Sequence, residues 1–391
     1  MSFIELPLHS GSVPPWLFRR MVALSSEILS IISDEYGRHE ILRRLGDPLW
    51  FQAFATLIGF DWDSSGTTTV VTAVVRSAVR KANLDIAVAG GKGLMAMRTP
   101  AILQEEAERI GLSSSLLNRL RSISRIVAKV DTCMLQDGYS LYHHVLFATR
   151  DGAWAIVQQG MNEDIRLARR YHWLDSAKSL VVEPHSGIAG LKVHDLTLDL
   201  TSRKSSRAHR TLVDLANEPP SKLKRDLYMA YRAIKKNSSL TSWMGLRDHP
   251  PSPSHMLKLR LDPGKVNWRA LERAYEVKPR TMEELLLIRG IGPSAIRALA
   301  LISDLVYGEE LEWRDPLRFG YAFGGKDGVP YPVNRYLMDE VIGILRRAVE
   351  EARAGHKEKV AMIRRLRGLV GKIKGVYYIK SISSTSSSYV P

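Results

Sequence analysis

The sequence predicts an α/β (or α+β) N-terminal domain followed by a mostly α-helical C-terminal half. Three observations carry this reading. Residues 139–159 hold two β-rich runs, YSLYHHVLFAT and AWAIVQQ, around Arg150-Asp151-Gly152. An Asp-Gly pair between alternating apolar runs is a strong hairpin signal. From residue 203 onward, apolar residues recur at helical spacing among many basic ones. Finally, residues 281–300 read as two helices joined by a tight glycine turn, a helix-hairpin-helix.

The elements come in order along the chain. Pro14 and Pro15 precede an apolar-periodic stretch from Trp16 to Ile32, which predicts a helix. Further helices are predicted at about 40–45 and 48–58, and residues 63–66 (Asp-Ser-Ser-Gly) break the pattern. Thr67 to Arg80 is β-branched at first but has helical length. Ile86–Ala89 reads as a short strand entering a loop, Gly90-Gly91-Lys92-Gly93. Thr99-Pro100 then opens a helix.

Counting back from a two-residue turn at 151–152 sets Val157 opposite Leu146, Gln159 opposite His144 and Gln158 opposite Val145. Tyr142, His144 and Gln159 would then share one face of the hairpin, with His143 and Gln158 on the other. Gly160 ends the strand, and Asn162 is a good N-cap for a following helix. On that helix Arg166, Arg169, Arg170 and Trp173 would lie on one face. Residues 181–200 alternate, and predict two short strands around Glu183-Pro184-His185.

The net charge is +15, and its distribution says more than its total. Residues 1–202 hold 21 basic and 21 acidic side chains. Residues 203–273 hold 16 against 6, residues 274–342 hold 8 against 11, and residues 343–391 hold 11 against 3. Two clustered positive segments attract polyanions by Coulomb steering and counterion release. The expected organisation is therefore an α/β domain (1–202), a basic helical region (203–275), the helix-hairpin-helix with a Gly/Pro loop (276–342), a basic helical extension (343–375) and a solvated tail (376–391). A single cysteine, Cys133, excludes an intrachain disulfide and a Cys-based zinc cluster. No basic, apolar leader and no 18-residue uncharged apolar run is visible, so a cytoplasmic protein with no membrane partner is expected.

The most specific motif is residues 281–300. Thr281 and Glu284 form a capping box, a short helix runs to about Ile288, and Gly290-Ile291-Gly292-Pro293 forces a turn into a second helix. This resembles the helix-hairpin-helix of DNA repair and replication proteins. Its glycines let the backbone approach a strand, and N–H groups at the second helix's start suit a phosphate. Arg289, Gly290, Ile291, Gly292, Ser294 and Arg297 are the expected nucleic-acid contacts, with Arg169 and Arg170 adding charge. DNA is the expected partner, and RNA remains open because phosphate contacts alone do not separate the two.

Polar residues crowd positions 129–185. Lys129, Asp131, Asp137, His143, His144, Gln159, Glu183 and His185 are the candidate catalytic set. Asp131, Asp137 and Glu183 could hold Mg²⁺ or Mn²⁺ for a nuclease. A metal-free glycosylase or lyase could use Asp137 or Lys92. A nucleic-acid adaptor with no active centre is the third reading. Gly-Gly-Lys occurs twice, at 90–92 and 324–326. Neither copy is a P-loop, but Gly91, Lys92, Gly325 and Lys326 are candidate phosphate-loop residues.

Taken along the chain, ELPLHSG, DPLWFQAF, GFDWDSSGTTT, AGGKG, LQDGYSLYHH, VQQGMN, ARRYHW, EPHSGI and FGGKDGVPYPV resemble an archaeal and bacterial family, the domain of unknown function seven-six-three. The resemblance spans residues 5 to about 335 and implies no catalytic residues.

Overall fold

Strands buried on both faces read as near-continuous apolar runs, and Val145–Ala148 and Trp154–Val157 of the hairpin supply them. A computed structural model describes residues 13–60, 65–235, 263–317 and 319–320, with scattered positions between 343 and 364. It is a mixed α/β structure: helices first, an antiparallel sheet in the middle, and helices toward the C-terminus. Gly325, Lys326, the helical extension and the tail lie outside the described residues, apart from isolated positions of the extension.

Four helices come first: α1 (Pro15–Tyr36), α2 (Arg38–Leu45), α3 (Pro48–Leu57) and α4 (Ser65–Lys81). Asp47 caps α3 by accepting from the Leu49 and Trp50 N–H groups. Strand β1 (Ile86–Lys92) comes next, then α5 (Leu94–Met97), α6 (Thr99–Ile110) and α7 (Ser114–Lys129). A π-helical turn, Val130–Met134, ends α7 and leads into β2 (Leu135–Gln136). The sheet continues with β3 (Ser140–Thr149), β4 (Trp154–Asn162), β5 (Leu167–Leu174) and β6 (His185–Gly190), and β7 (Leu198–Asp199) pairs with β2. The C-terminal helices are α8 (Ala208–Ala216), α9 (Pro220–Lys235), α10 (Trp268–Val277), α11 (Met282–Leu287) and α12 (Pro293–Tyr307), with β8 (Phe319–Gly320) last.

The main sheet has the order β1-β3-β4-β5-β6-β8, antiparallel except for the final parallel pair. Helices α1–α4 cover one face, where Phe51, Phe54, Val75, Val145, Phe147 and Val157 pack together. On the other face Leu120, Val127, Leu146, Ile156 and Trp173 join a core that runs on through Leu212, Leu286 and Leu299. Residues on both sides of position 202 therefore share one core.

Three expectations are corrected. The hairpin loop takes three residues, 150–152, with Gly152 left-handed at φ +86°. Val157 therefore pairs with Val145, Gln158 with His144 and Gln159 with His143, one residue off the expected register. A further irregularity between Leu141 and His143 lets Tyr142 stay on the Gln159 side. Second, residues 167–174 form strand β5, not a helix. The Asn162 side chain accepts from the Ile165 N–H in a turn, and Arg166 is left-handed at φ +55°. Arg169, Tyr171 and Trp173 then face one side, and Arg170 and His172 the other. Third, Gly90, Gly91 and Lys92 are strand residues rather than a loop, paired with Val145, His144 and His143. A side chain at Gly90 would collide with the His144 carbonyl oxygen. The glycine there serves close strand approach, with φ at +113°.

Candidate functional site

The π-helical turn after α7 brings Asp131 under the sheet, where it is buried. Such turns insert one extra residue into a helix and re-aim the side chains beyond it. Asp131 Oδ2 accepts from Trp173 Nε1 at 3.0 Å and from Gln158 Nε2. Its Oδ1 meets His185 Nε2 at 2.5 Å. Because the Gln158 amide nitrogen donates to Asp131, its oxygen is left to accept from His144 Nδ1, at 2.8 Å. His144 Nε2 then accepts from the Ser124 hydroxyl at 2.8 Å. Burial pushes the His144 pKa down, against the opposing Gln158 bond and the Asp131 charge. A polar chain thus runs from Ser124 to His185, with each member engaged.

His185 is the outer end of that chain. It lines a cleft of about 360 Å³ with Ser176, Lys178, Ser179, Glu183, Ser186 and Arg203. Glu183 stands left-handed at φ +45° and pairs with Arg203 at 3.2 Å.

Asp137 belongs to a different cluster. It accepts from Arg169 Nη1 at 3.0 Å, from the Tyr171 hydroxyl at 2.7 Å and from the Tyr139 N–H at 3.1 Å. Arg169 also forks onto Asp315, at 2.9 and 2.7 Å, and lies over the Tyr139 ring. This clamp ties residue 315 to β5. Arg170 donates to His172 at 2.8 Å and lies over Phe51. Both guanidiniums are buried, so neither presents charge to solvent as the sequence suggested.

His143 and Gln159 sit on the opposite face of the sheet, under α4. His143 Nε2 meets Thr72 Oγ1 at 3.0 Å. Gln159 accepts from the Thr68 hydroxyl and donates to the Ser65 carbonyl oxygen at 2.8 Å and to Tyr142. Burial, then the nearby His144, Arg76 and Lys92, push the His143 pKa down to about 3. The candidate catalytic set is therefore split. His144, Asp131, His185 and Glu183 gather on one side, His143 and Gln159 brace the other, and Asp137 is held by Arg169.

Each of the three carboxylates proposed for Mg²⁺ or Mn²⁺ has protein partners in this structure. Asp131 commits both oxygens to N–H donors, Asp137 is neutralised by Arg169, and Glu183 turns to Arg203. Among the described residues no group of three His, Cys, Asp or Glu is placed to hold a metal ion.

Lys129 lies elsewhere, at the glycine turn. Thr281 caps α11 by accepting from the Glu284 N–H at 3.2 Å, and Glu284 accepts from the Arg280 N–H at 2.7 Å. Gly290 is left-handed at φ +93°. The turn's carbonyl groups are taken up by donors from neighbouring elements. Arg273 donates twice to the Arg289 carbonyl oxygen, at 2.9 and 2.6 Å, and Asn267 donates to that of Gly290 at 3.2 Å. Lys129 Nζ donates to the Ile291 carbonyl oxygen, and Gln136 to that of Pro293 at 3.2 Å. Arg297 donates to Gln136 at 2.6 Å, so its charge braces the turn from within. Ile291 is buried, whereas Arg289, Gly290 and Pro293 are exposed and Ser294 is half-buried. Pro293 has no N–H, and the Ala295 and Ile296 N–H groups both reach the Gly292 carbonyl oxygen, which leaves the Ser294 N–H for an outside acceptor; the helix dipole there favours an anion.

Asn267, Arg273 and Gln136 as anchors of the turn, Ser124 and Trp173 as partners in the buried chain, and Lys178 and Arg203 at the cleft were missed by sequence reasoning. No local pattern marks them.

A mixed α/β fold with a helical C-terminal half, a glycine turn and a buried Asp–His pair defines the class. The chain belongs to the family described as protein of unknown function DUF763, whose model matches residues 2–333. No curated protein and no solved structure matches the chain. Among the described residues, no helix is long and apolar enough to cross a membrane.

Proposed function

We propose that this protein binds nucleic acid through its phosphate backbone, as a repair or processing protein does. One observation carries the reading: the turn at 289–293 engages its carbonyl groups with donors of neighbouring elements and leaves Arg289 and the start of the 15-residue helix α12 at the surface. An exposed helix start beside an arginine suits a phosphate oxygen. The basic excess in residues 203–273 and 343–391 supplies the longer-range attraction. Contacts of this kind hold a strand without reading its bases.

Ser294→Asp tests this with little cost to folding. An acid in the first turn of a helix stabilises it, yet its charge repels a phosphate at the same place. Full-length protein is titrated with labelled single-stranded DNA, duplex DNA and RNA. The expected result is an unchanged or raised Tm together with at least tenfold weaker binding. Equal affinity in wild type and variant would contradict the reading, and the three probes decide DNA against RNA.

A further inference from the structure

Four histidines lie on strands β3, β5 and β6, and three of them are enclosed. His144 has both ring nitrogens engaged, by Ser124 and Gln158. His172 has both engaged, by the Leu45 carbonyl oxygen and Arg170. His143 keeps one nitrogen without a partner, but that atom is buried. His185 differs. Its side chain is 6% exposed, its Nε2 is fixed on Asp131, and its Nδ1 has no partner among the described residues. The ring lines the cleft that also holds Lys178, Ser176, Glu183 and Arg203.

Asp131 suits an orienting role. The Gln158 and Trp173 N–H groups hold its second oxygen, so the carboxylate cannot turn away from the imidazole. A carboxylate on Nε2 selects the tautomer with the proton there and the lone pair on Nδ1. This is a base held in place by a buried third group, facing space where a substrate fits. Arg203 pairs with Glu183 in the same cleft, so Lys178 supplies its excess positive charge, which favours an anionic substrate.

The cleft is also joined to the glycine turn through one stretch of chain. Lys129 and Gln136 hold the turn, and Asp131 lies between them.

We infer that His185 is a general base acting on a phosphodiester, with Asp131 as its positioning residue and Lys178 beside the phosphate. The inference rests on the nucleic-acid reading for its substrate. His185 Nδ1 takes the proton of a hydroxyl nucleophile, which is water or, where the strand is RNA, the 2′-hydroxyl. The nucleophile's oxygen forms a bond to phosphorus. The bond from phosphorus to the leaving oxygen breaks, its electron pair staying on that oxygen. The leaving oxygen is then protonated by the imidazolium, which restores the base. No oxidant, reductant or further reactant is needed.

The test uses full-length protein in EDTA, with end-labelled RNA and DNA oligonucleotides and with bis(p-nitrophenyl) phosphate. Wild type is expected to form product from an oligonucleotide. His185→Gln keeps an N–H donor toward Asp131 and removes the base, and is expected to slow the reaction 100-fold or more with binding unchanged. Lys178→Ala, at an exposed position, is expected to slow it about tenfold without loss of Tm. A cyclic phosphate end on RNA would assign the 2′-hydroxyl as nucleophile, and cleavage of DNA would assign water. Binding without product overturns the inference, as does product that His185→Gln leaves undiminished or that EDTA abolishes in wild type. If no oligonucleotide binds, the nucleic-acid reading fails by itself. The small diester then reads the centre: hydrolysis lost in His185→Gln supports the base, and no hydrolysis overturns it.

Discussion

Lys129 donates its ammonium to the carbonyl oxygen of Ile291, which joins the end of α7 to the glycine turn 162 residues later. Asp131 lies in the next turn of chain and holds His185. The surface read as a phosphate site and the cleft read as an acid–base site are therefore built on one piece of backbone.

The two glycines of the turn are not equivalent. Gly290 has φ +93°, and a side chain there would meet Arg273 Nη2 at 2.5 Å and Asn267 Nδ2 at 3.0 Å. Gly292 is extended at φ −141°, and a side chain there would meet nothing closer than 4.0 Å. Gly290→Ala should cost about 1–2 kcal/mol from left-handed strain, with Arg273 displaced as well. Gly292→Ala should stay within about 0.5 kcal/mol of wild type. Urea midpoints of the two variants check this, and equal losses would refute the distinction.

Arg169 is enclosed between Asp137 and Asp315. Removing one partner of a buried charge cluster leaves the rest uncompensated, at about 3–5 kcal/mol. Arg169→Met is therefore expected to destabilise by that order, and Asp315→Asn by less, because Asp137 still faces the guanidinium. Thermal unfolding of each variant measures the order. Arg169→Met at wild-type Tm would show that the clamp contributes nothing.

His143 makes the fold sensitive to acid. Its folded pKa is about 3 through burial and the neighbouring His144, Arg76 and Lys92, against an ordinary value of 6.5. The unfolded chain binds a proton there that the native state excludes. The stability gained from the neutral ring is present above pH 6.5 and is lost as the pH falls toward 3. His143→Gln should lower the slope of stability against pH in that window by about one proton. Denaturant midpoints between pH 7 and 4 decide it. A slope that does not change would place the proton uptake at other buried histidines, such as His172, whose pKa burial also lowers.

Local signals in this chain were readable and distant ones were not. The Thr281 cap and the turn at Gly290 are consequences of a few adjacent residues; Thr281 caps α11 as the spacing predicts, while Glu284 accepts from the Arg280 N–H instead of closing the box on Thr281. The hairpin was legible, but its register was not. Arg150-Asp151-Gly152 accommodates a two- or a three-residue loop, and one residue of difference exchanged His143 for His144 on each face. Residues 166–173 satisfy a helical spacing of arginines and also a period of two through Arg169, Tyr171 and Trp173. The sheet's need for a partner beside β4 selected the strand. Asp131 and His185 are separated by 54 positions, so only the fold could pair them.

The central claim is that the exposed turn holds a nucleic-acid backbone, and a salt titration tests it most directly. Binding of a labelled oligonucleotide is measured by fluorescence anisotropy from about 50 to 200 mM salt for wild type and Arg289→Ala. Wild-type affinity should fall steeply with salt, and the variant should bind more weakly with a log–log slope shallower by about 1, as expected when one phosphate contact is lost. A flat wild-type profile, or a variant with the wild-type affinity and slope, would contradict the account.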